Sequence, residues 1–561
     1  MGIGFGKIKT NFDKKYWVTG KILEHQANTI PNKHFLQYMN CEPLTYQMVN
    51  NKVNMLAHGF MNIGVKKFDT IMIMLPNSLE YLYTWFAANK VGAVEVPVNN
   101  SYKGSFFEHV ANNSKAKYLV LNEDQLDMVY NSIDNLMYLE TLIYVGDNKG
   151  ALDKLNNTGK YNILYFNDIY SDNTTNPDVD VSYMDLGAIM YTSGTTGPSK
   201  GVMMPHAHLY TFSESNVNML KLDNTDIYYT SLPFFHGNAQ VLTIYPSLIA
   251  GSKVVIYPRF SASEWVGHLK KHEITVTNLI GVMMDFIIKQ PNKKEDSELQ
   301  LKAIFSVPTP AALVDIFRKR FNVTRILEGY GMTEIGMVTI MPFDDFRAGS
   351  CGKILDEWYE IKIVDPETDE EVPDETIGEL VVRHKIPWAL NAGYYGMPEK
   401  TVEAYKNLWF HTGDALKKDN DGFYYFIDRI KDALRRRGEN ISSYEVEKVV
   451  NDHPSVLESA AIAAKSDVSG GEDEVKICVV LKDGCILGHE ELIQWCDKRM
   501  PYYCVPRYII FMKDLPKTPS LKVQKAILRK LSINNVDVWD RVKEGIKLAD
   551  EIKREKKKLL R

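Results

Sequence analysis

Residues Tyr191 to Met203 read YTSGTTGPSKGVM and pack hydroxyls, glycines and one lysine between an apolar, strand-like run and a helical one. Together these residues can handle phosphate. Glycines let backbone N–H groups approach an anion closely. Thr192, Ser193, Thr195, Thr196 and Ser199 add hydroxyl donors, and Lys200 adds a positive charge. The natural guest is a nucleoside triphosphate. Gly/Ser/Thr-rich segments also serve as flexible surface loops, and composition does not separate the two readings. Spacing does exclude one kind of loop. A Walker loop needs Gly-x-x-x-x-Gly-Lys followed by Ser or Thr, whereas the fifth residue after Gly194 is Ser199 and Lys200 is followed by Gly201.

Further segments carry reactive side chains downstream. In EGYGMTE, Glu328 to Glu334, a Tyr-Gly turn followed by Thr333 and Glu334 would put a hydroxyl and a carboxylate beside the same phosphate, although a lone glutamate is ordinarily a solvated helix residue. In LPFFHGNAQ, Leu232 to Gln240, His236 follows two phenylalanines, a setting in which a satisfied core histidine is the ordinary reading. WFHTGD, Trp409 to Asp414, ends in Gly-Asp, which is also a common turn dipeptide. Arg435, Arg436 and Arg437 form a basic run before Gly438, either a solvated patch or an anion site. In LPKTPSLKVQK, Leu515 to Lys525, Lys522 sits in a proline-containing loop. Where a carboxylate and a triphosphate must meet, such a cation is needed to neutralise their repulsion.

Positioning these residues falls to an alternation of helices and strands. Apolar residues recur at helical spacing over Leu44 to Ile63, and Thr70 to Leu75 (TIMIML) is a short apolar run bounded by turn residues. The alternation continues through Glu80 to Lys90, Gly92 to Val98, Phe106 to Ser114 and Tyr118 to Leu121, with a second block from about 225 to 330. Such repetition predicts parallel sheets covered by helices on both faces. The polar, Asn/Asp-rich stretch from Gly146 to Val179 reads as a long connection into the phosphate loop. Residues 351 to 428 lack helical periodicity and predict a small β-barrel-like subdomain. Near the end, Val542, Ile546, Ala549 and Ile552 lie at helical spacing and predict a docked amphipathic helix before the charged run Lys553 to Arg561.

The bulk properties of the 561-residue chain narrow the function. It is longer than one core usually supports, so more than one domain is expected. With 45% hydrophobic and 24% charged residues it has the balance of a globular protein rather than a disordered one. A net charge of -5 gives no general pull toward nucleic acid. Its six cysteines, Cys41, Cys351, Cys478, Cys485, Cys496 and Cys504, form no Cys-x-x-Cys pair and no metal-ligand spacing with histidine. They read as free thiols in a reducing compartment. There is no run of about twenty apolar residues and no signal-peptide pattern at the N-terminus, so stable membrane insertion is not expected and the cytoplasm is.

In this form, and in this order along nearly the whole chain, YTSGTTGPSKGVM, EGYGMTE, WFHTGD and LPKTPSLKVQK resemble the signature motifs of the adenylate-forming superfamily, which includes acyl-CoA synthetases, peptide-synthetase adenylation domains and firefly-type luciferases. DALRRRGENISSYEVE and LPKTPSLKVQK look most like the branch containing carnitine, crotonobetaine and related acyl-CoA ligases. The resemblance implies an α/β fold. A large N-terminal domain, residues 1–430, would hold two helix-covered sheets and the barrel-like subdomain, and a smaller, mobile α+β C-terminal domain, residues 431–561, would carry a catalytic lysine. It implies that ATP is held by Thr192, Ser193, Gly194, Thr195, Thr196, Gly197 and Lys200 together with Glu328, Gly329, Tyr330 and Thr333. Glu334 would ligate Mg²⁺, which takes few protein carboxylates. Asp414 would take the ribose hydroxyls, since a carboxylate accepts two hydrogen bonds at once, with Arg429 in support. Lys431 would be the hinge, Gly438 would border the channel for the thiol of coenzyme A, with nearby arginines on its phosphates, and His236 would line the acyl pocket. Lys522 takes the lysine position, although Leu521 replaces the usual preceding glycine. At Phe305 to Pro310, FSVPTP departs from the family's Gly/Ala-rich strand end by using valine, threonine and proline.

The implied chemistry has two steps. A small-molecule carboxylate attacks the α-phosphate of MgATP, releasing pyrophosphate and leaving an acyl-adenylate; a thiol, with coenzyme A the simplest acceptor, then displaces AMP to give a thioester. Loading of a separate carrier protein, oxidation of the adenylate and an inactive nucleotide-binding scaffold are the alternatives, and self-association is left open.

Overall fold

The computed structural model describes residues 7–561 apart from 193–197, 308, 310, 430–433, 437–438, 442, 465–472, 517–522, 532–537, 550 and 552–561. Two compact units are present: residues 1–100, 111–191 and 201–430 form one, and residues 101–110, 192–200 and 431–561 form the other.

The first unit is built on two seven-stranded sheets. One orders its strands Asn162–Tyr165, Thr141–Val145, Tyr118–Asn122, Thr70–Met74, Val94–Pro97, Leu186–Thr192 and Lys200–Pro205. Its pairings from Asn162–Tyr165 through Leu186–Thr192 are parallel. Every residue of Thr70–Met74 is buried, which is why TIMIM reads as an unbroken apolar run rather than an alternating one. The other sheet orders Arg325–Leu327, Ala303–Ser306, Val276–Leu279, Ile227–Thr230, Lys253–Ile256, His34–Tyr38 and Leu44–Thr45. It is parallel except for its last pair. A three-stranded and a four-stranded antiparallel sheet follow, spanning Gly329–Ile354 and Tyr359–Arg429. They supply the barrel-like part expected from residues 351 to 428.

Helices enter with local stop and start signals. The Thr45 hydroxyl accepts from the Met48 N–H ahead of the helix Tyr46–Asn62, and the Ser78 hydroxyl accepts from the Tyr81 N–H ahead of Leu79–Lys90. Leu79–Lys90 packs on the helices Thr19–Thr29 and Tyr46–Asn62 and on the strands Thr70–Met74 and Val94–Pro97, so nearly all of it is buried, its terminal lysine included. Lys90 remains charged-compatible because Glu24, Asn50, Asn54 and Asn176 surround its ammonium at 2.7–3.0 Å. Burial nevertheless lowers its pKa to about 8.

The second unit holds a mixed four-stranded sheet ordered Val456–Ala464, Glu474–Leu481, Tyr508–Met512 and Trp539–Asp540, with helices Ser443–Asn451 and His489–Asp497. Its core gathers Val446, Val450, Ile477, Val479, Leu492 and Ile509 with Phe106. Among the described residues no helix is long and apolar enough to cross a membrane, and all six cysteines are free.

Two expectations need correcting. The polar stretch from 146 to 179 is not merely a connection, because Asn162–Tyr165 adds an edge strand to the first sheet, pairing with Thr141–Tyr144. An edge strand needs only one paired side and tolerates polar neighbours. The spacing of Val542, Ile546, Ala549 and Ile552 makes a helix only in part: Arg541 to Gly545 is a turn and Val542 is 52% exposed, whereas Ala549 and Glu551 are helical. Arg541 is buried, and its guanidinium donates to the Ile546 carbonyl (2.6 Å) and pairs with Glu551 (2.9 Å), folding the chain back on itself. Ile552 lies outside the described residues.

Candidate functional site

The motif EGYGMTE does not fold as a Tyr-Gly turn. Tyr330 and Gly331 lie within the strand Gly329–Met332, which pairs antiparallel with Gly336–Ile340, and the reversal falls on Thr333 to Ile335. Gly336 at φ +74° lets the chain re-enter the ladder, a conformation strained for residues with a Cβ. Glu334 therefore projects from a hairpin turn, yet is only 5% exposed. Tyr394 donates its hydroxyl to Glu334 Oε1 at 3.1 Å, and the Asn391 carboxamide donates to the Glu334 main-chain carbonyl at 2.7 Å. On the other side of the turn the Thr333 carbonyl faces His208 Nε2 at 2.9 Å, while Nδ1 of the same ring faces the Ala389 carbonyl at 3.1 Å. Full burial pulls the His208 pKa down, opposed by those two carbonyls.

Residues 391–395 reach this turn because they run beside the strand Lys200–Pro205. Ala392 donates to the Met203 carbonyl, Met203 to Gly393, and Tyr395 to Gly201, each at 2.8–2.9 Å. Tyr394, Asn391 and His208 were not read from the sequence as site residues. The Gly-Tyr-Tyr-Gly cluster at 393–396 is the one local signal that marked the segment.

All of WFHTGD but Trp409 likewise lies in a strand, Phe410–Lys418, instead of a turn. Gly413 at φ +71° and a register shift against Gly378–His384 make a bulge. The Gly413 N–H donates to Glu379 Oε1 at 2.9 Å, and the Thr412 hydroxyl donates to the Leu380 carbonyl at 2.7 Å, fixing the bulge. Asp414 is 3% exposed, and Tyr330 donates its hydroxyl to Asp414 Oδ2 at 2.8 Å. The structure thus brings two distant motifs, EGYGMTE and HTGD, into direct contact. Arg429 pairs in register opposite Asp414; its side chain is outside the described residues.

Glu328, just before the strand Gly329–Met332, receives hydrogen bonds from the backbone and side chain of Thr309, but burial dominates and lifts its carboxyl pKa to about 7. FSVPTP consequently contributes through Thr309, whose hydroxyl also donates to the Ser306 carbonyl at 2.8 Å. His236 stands just before the short helix Gly237–Ala239, half-buried with its ring centroid 4.7 Å from that of Phe235.

Thr192 ends the strand Leu186–Thr192 and Lys200 begins Lys200–Pro205, so the two flank the phosphate loop. Ser193, Gly194, Thr195, Thr196, Gly197, Lys431, Gly438 and Lys522 lie outside the described residues.

The basic run resolves unevenly. Arg436 is 3% exposed and pairs with Glu474 at 2.6 Å, and it donates to the Tyr503 and Val505 carbonyls at 3.0 Å each. It is a core cation and unsuited to coenzyme A phosphate, contrary to the reading of all three arginines as one patch. The Arg435 side chain and Arg437 lie outside the described residues.

Among the described residues no group of three or more His, Cys, Asp and Glu side chains is placed to hold a metal. A single buried carboxylate such as Glu334 fits a cation that draws the rest of its shell from phosphate oxygens and water, as Mg²⁺ does.

Residues 23–395 match the AMP-binding enzyme family, and residues 445–522 match the AMP-binding enzyme C-terminal domain. A crotonobetaine/carnitine–CoA ligase of Proteus mirabilis (strain HI4320) is 31% identical, over 86% of this chain and 93% of its own. Among solved structures, an o-succinylbenzoate CoA synthetase from Bacillus subtilis superimposes with a TM-score of 0.76 at 23% identity, covering 91% of this chain and 98% of its own. An anthranilate CoA ligase in complex with anthranoyl-AMP superimposes with a TM-score of 0.67 at 26% identity, covering 92% of this chain and 98% of its own.

Proposed function

The chain belongs to the AMP-binding enzyme family, and on that premise we propose how it works as an AMP-forming acyl-CoA ligase. It activates a carboxylic acid with ATP, giving an acyl-adenylate and pyrophosphate, then passes the acyl group to coenzyme A with release of AMP. The observation that carries the assignment of roles is the contact of Tyr330 with Asp414 and of Tyr394 with Glu334. Each pre-orients a buried carboxylate by a charge-assisted hydrogen bond, as an electrostatic site requires.

In the first half-reaction Asp414 accepts the two ribose hydroxyls, with Oδ2 already aligned by Tyr330. The hydroxyls and backbone donors of Thr192 to Gly197, with Lys200, hold the β- and γ-phosphates. Thr333 donates to the α-phosphate, and Lys522 would supply the positive charge that lowers the repulsion between the incoming carboxylate and the α-phosphate. Glu334 would hold Mg²⁺, which when bound would supply charge neutralisation to the triphosphate. The carboxylate oxygen bonds to the α-phosphorus as the bond to pyrophosphate breaks. No covalent enzyme intermediate is involved. In the second half-reaction residues 431–561 turn about Lys431, withdrawing Lys522 and bringing Gly438 to the thiol path. The coenzyme A sulfur then bonds to the acyl carbon, its proton is lost to solvent, and AMP leaves. His236 lines the acyl side. Six free cysteines fit a reducing cytoplasm as the working compartment.

ATP–pyrophosphate exchange with a panel of carboxylic acids tests this reading, starting with carnitine and crotonobetaine, the acids named for the Proteus relative. Lys522→Ala is expected to abolish exchange while sparing thioester formation from supplied acyl-adenylate. Equal loss of both half-reactions would refute the division of labour, and no exchange with any acid would refute the enzyme.

A further inference from the structure

Ser199 closes the phosphate loop, and its peptide group is held from both sides. Its N–H donates to Glu445 Oε1 at 2.9 Å, and its carbonyl lies 2.7 Å from His109 Nε2. With a carbonyl as partner, that nitrogen carries the proton. Ser199 is 1% exposed, Glu445 is buried, and the Ser199 hydroxyl also bonds the Glu445 carboxyl. All three residues belong to the compact unit that contains 431–561.

Glu445 lies in the first turn of the helix Ser443–Asn451. The same turn holds a second loop. Lys525, three residues beyond Lys522, pairs with Glu447 at 2.6 Å and donates to the Ser443 hydroxyl at 2.8 Å. One helical turn therefore grips the stem of the phosphate loop through Glu445 and the stem of the lysine loop through Ser443 and Glu447. The spacing has a simple cause: residues two apart at a helix start splay to different sides, so Ser443, Glu445 and Glu447 cannot all serve one neighbour.

Resting on the acyl-CoA ligase reading, we propose that this turn is a coupling element for the adenylation half-reaction, in which Glu445 and His109 are positioning residues that hold the phosphate-loop stem while Ser443 and Glu447 hold the lysine-loop stem. The ligand served is the triphosphate of ATP. Both act through Ser199, Glu445 on its N–H and hydroxyl and His109 on its carbonyl. Two anion-handling loops gain by being registered against one rigid turn, because a misplacement of an ångström is costly at a phosphoryl centre.

Three variants of the full-length protein test the proposal: Glu445→Ala, Glu445→Gln and His109→Ala. Each is assayed for ATP–pyrophosphate exchange with the acid that supports exchange in the unaltered protein, for thioester formation from supplied acyl-adenylate and coenzyme A, and for thermal melting. Losing the buried hydrogen bonds from the Ser199 N–H and hydroxyl is expected to raise the KM for MgATP in exchange at least about tenfold in Glu445→Ala, with thioester formation within about twofold of the unaltered protein. Glu445→Gln keeps an acceptor oxygen for the Ser199 N–H and should recover most of that loss. His109→Ala removes the other hold and should shift exchange in the same direction, which keeps the proposal testable if Glu445→Ala melts too low to assay. An unchanged KM for MgATP in both alanine variants overturns the proposal, as does an equal fall in both half-reactions with no recovery in Glu445→Gln. Absence of exchange in the unaltered protein is a different result and overturns the ligase reading itself.

Discussion

Removing the Tyr330 hydroxyl should weaken ATP binding through Asp414. In Tyr330→Phe the ring stays in place, 7% exposed and stacked near Phe426 at 6.3 Å between centroids, while the 2.8 Å bond to Asp414 Oδ2 is lost. A hydrogen bond to a buried carboxylate contributes about 1.5–3 kcal/mol. That full amount would appear in ATP binding only if the carboxylate lost its orientation altogether, whereas a water molecule entering beside it would return part of it. A net loss of about 1.4 kcal/mol corresponds to a tenfold rise in the KM for ATP. The assay is pyrophosphate exchange at varied ATP, with 2′-deoxy-ATP as a second nucleotide that lacks one of the hydroxyls Asp414 would hold. Tyr330→Phe should narrow the preference for ATP over 2′-deoxy-ATP and leave the KM for pyrophosphate unchanged. In an Asp414→Asn background the same substitution should add less than about twofold, because interacting residues are non-additive. A tenfold effect that persists in that background, or no effect in either, would refute the reasoning.

Two further substitutions probe the interior. Arg436→Ala strips a buried guanidinium from Glu474 and two carbonyls, so it should lower stability by about 3–5 kcal/mol in a melting experiment while the KM for coenzyme A of the folded fraction holds. Charge reversal at Arg435 and Arg437, by contrast, should raise that KM. Glu95 is fully buried beneath Gln240 (2.7 Å) and Tyr81 (3.2 Å), and burial lifts its pKa from 4.5 to about 8. A carboxyl that binds its proton more tightly when folded stabilises fully below about pH 4.5, and that stability drains away as pH rises toward 8. Glu95→Gln imitates the protonated form, so its melting temperature should gain on the unaltered protein between pH 5 and 8; a constant difference over that window would count against the burial argument.

How much was legible beforehand depended on range along the chain. Helix and strand alternation showed in the sequence because apolar periodicity is local: TIMIM is a fully buried strand, and Leu79–Lys90 begins one residue before the helix expected from Glu80. The motifs and their order pointed to the family and its chemistry. Turn geometry was less legible, since a bulge at Gly413 and a hairpin reversal at Thr333 leave the same Gly-rich trace as simple turns.

The sequence by itself determined which reactive side chains exist, their order, and the repeated strand–helix pattern that carries them, because each of these is written in residues a few positions apart. Tertiary structure alone decided their company. Tyr330 meets Asp414 across 84 residues, Tyr394 meets Glu334 across 60, and Ser199 meets Glu445 across 246. It also decided that the middle arginine of an apparently uniform basic run is a core cation, and that the first part of an expected helix is a turn held by Arg541. Burial and long-range hydrogen bonding depend on which elements pack together, and a buried charge takes whatever partners that packing leaves within reach, information that no local window of residues contains.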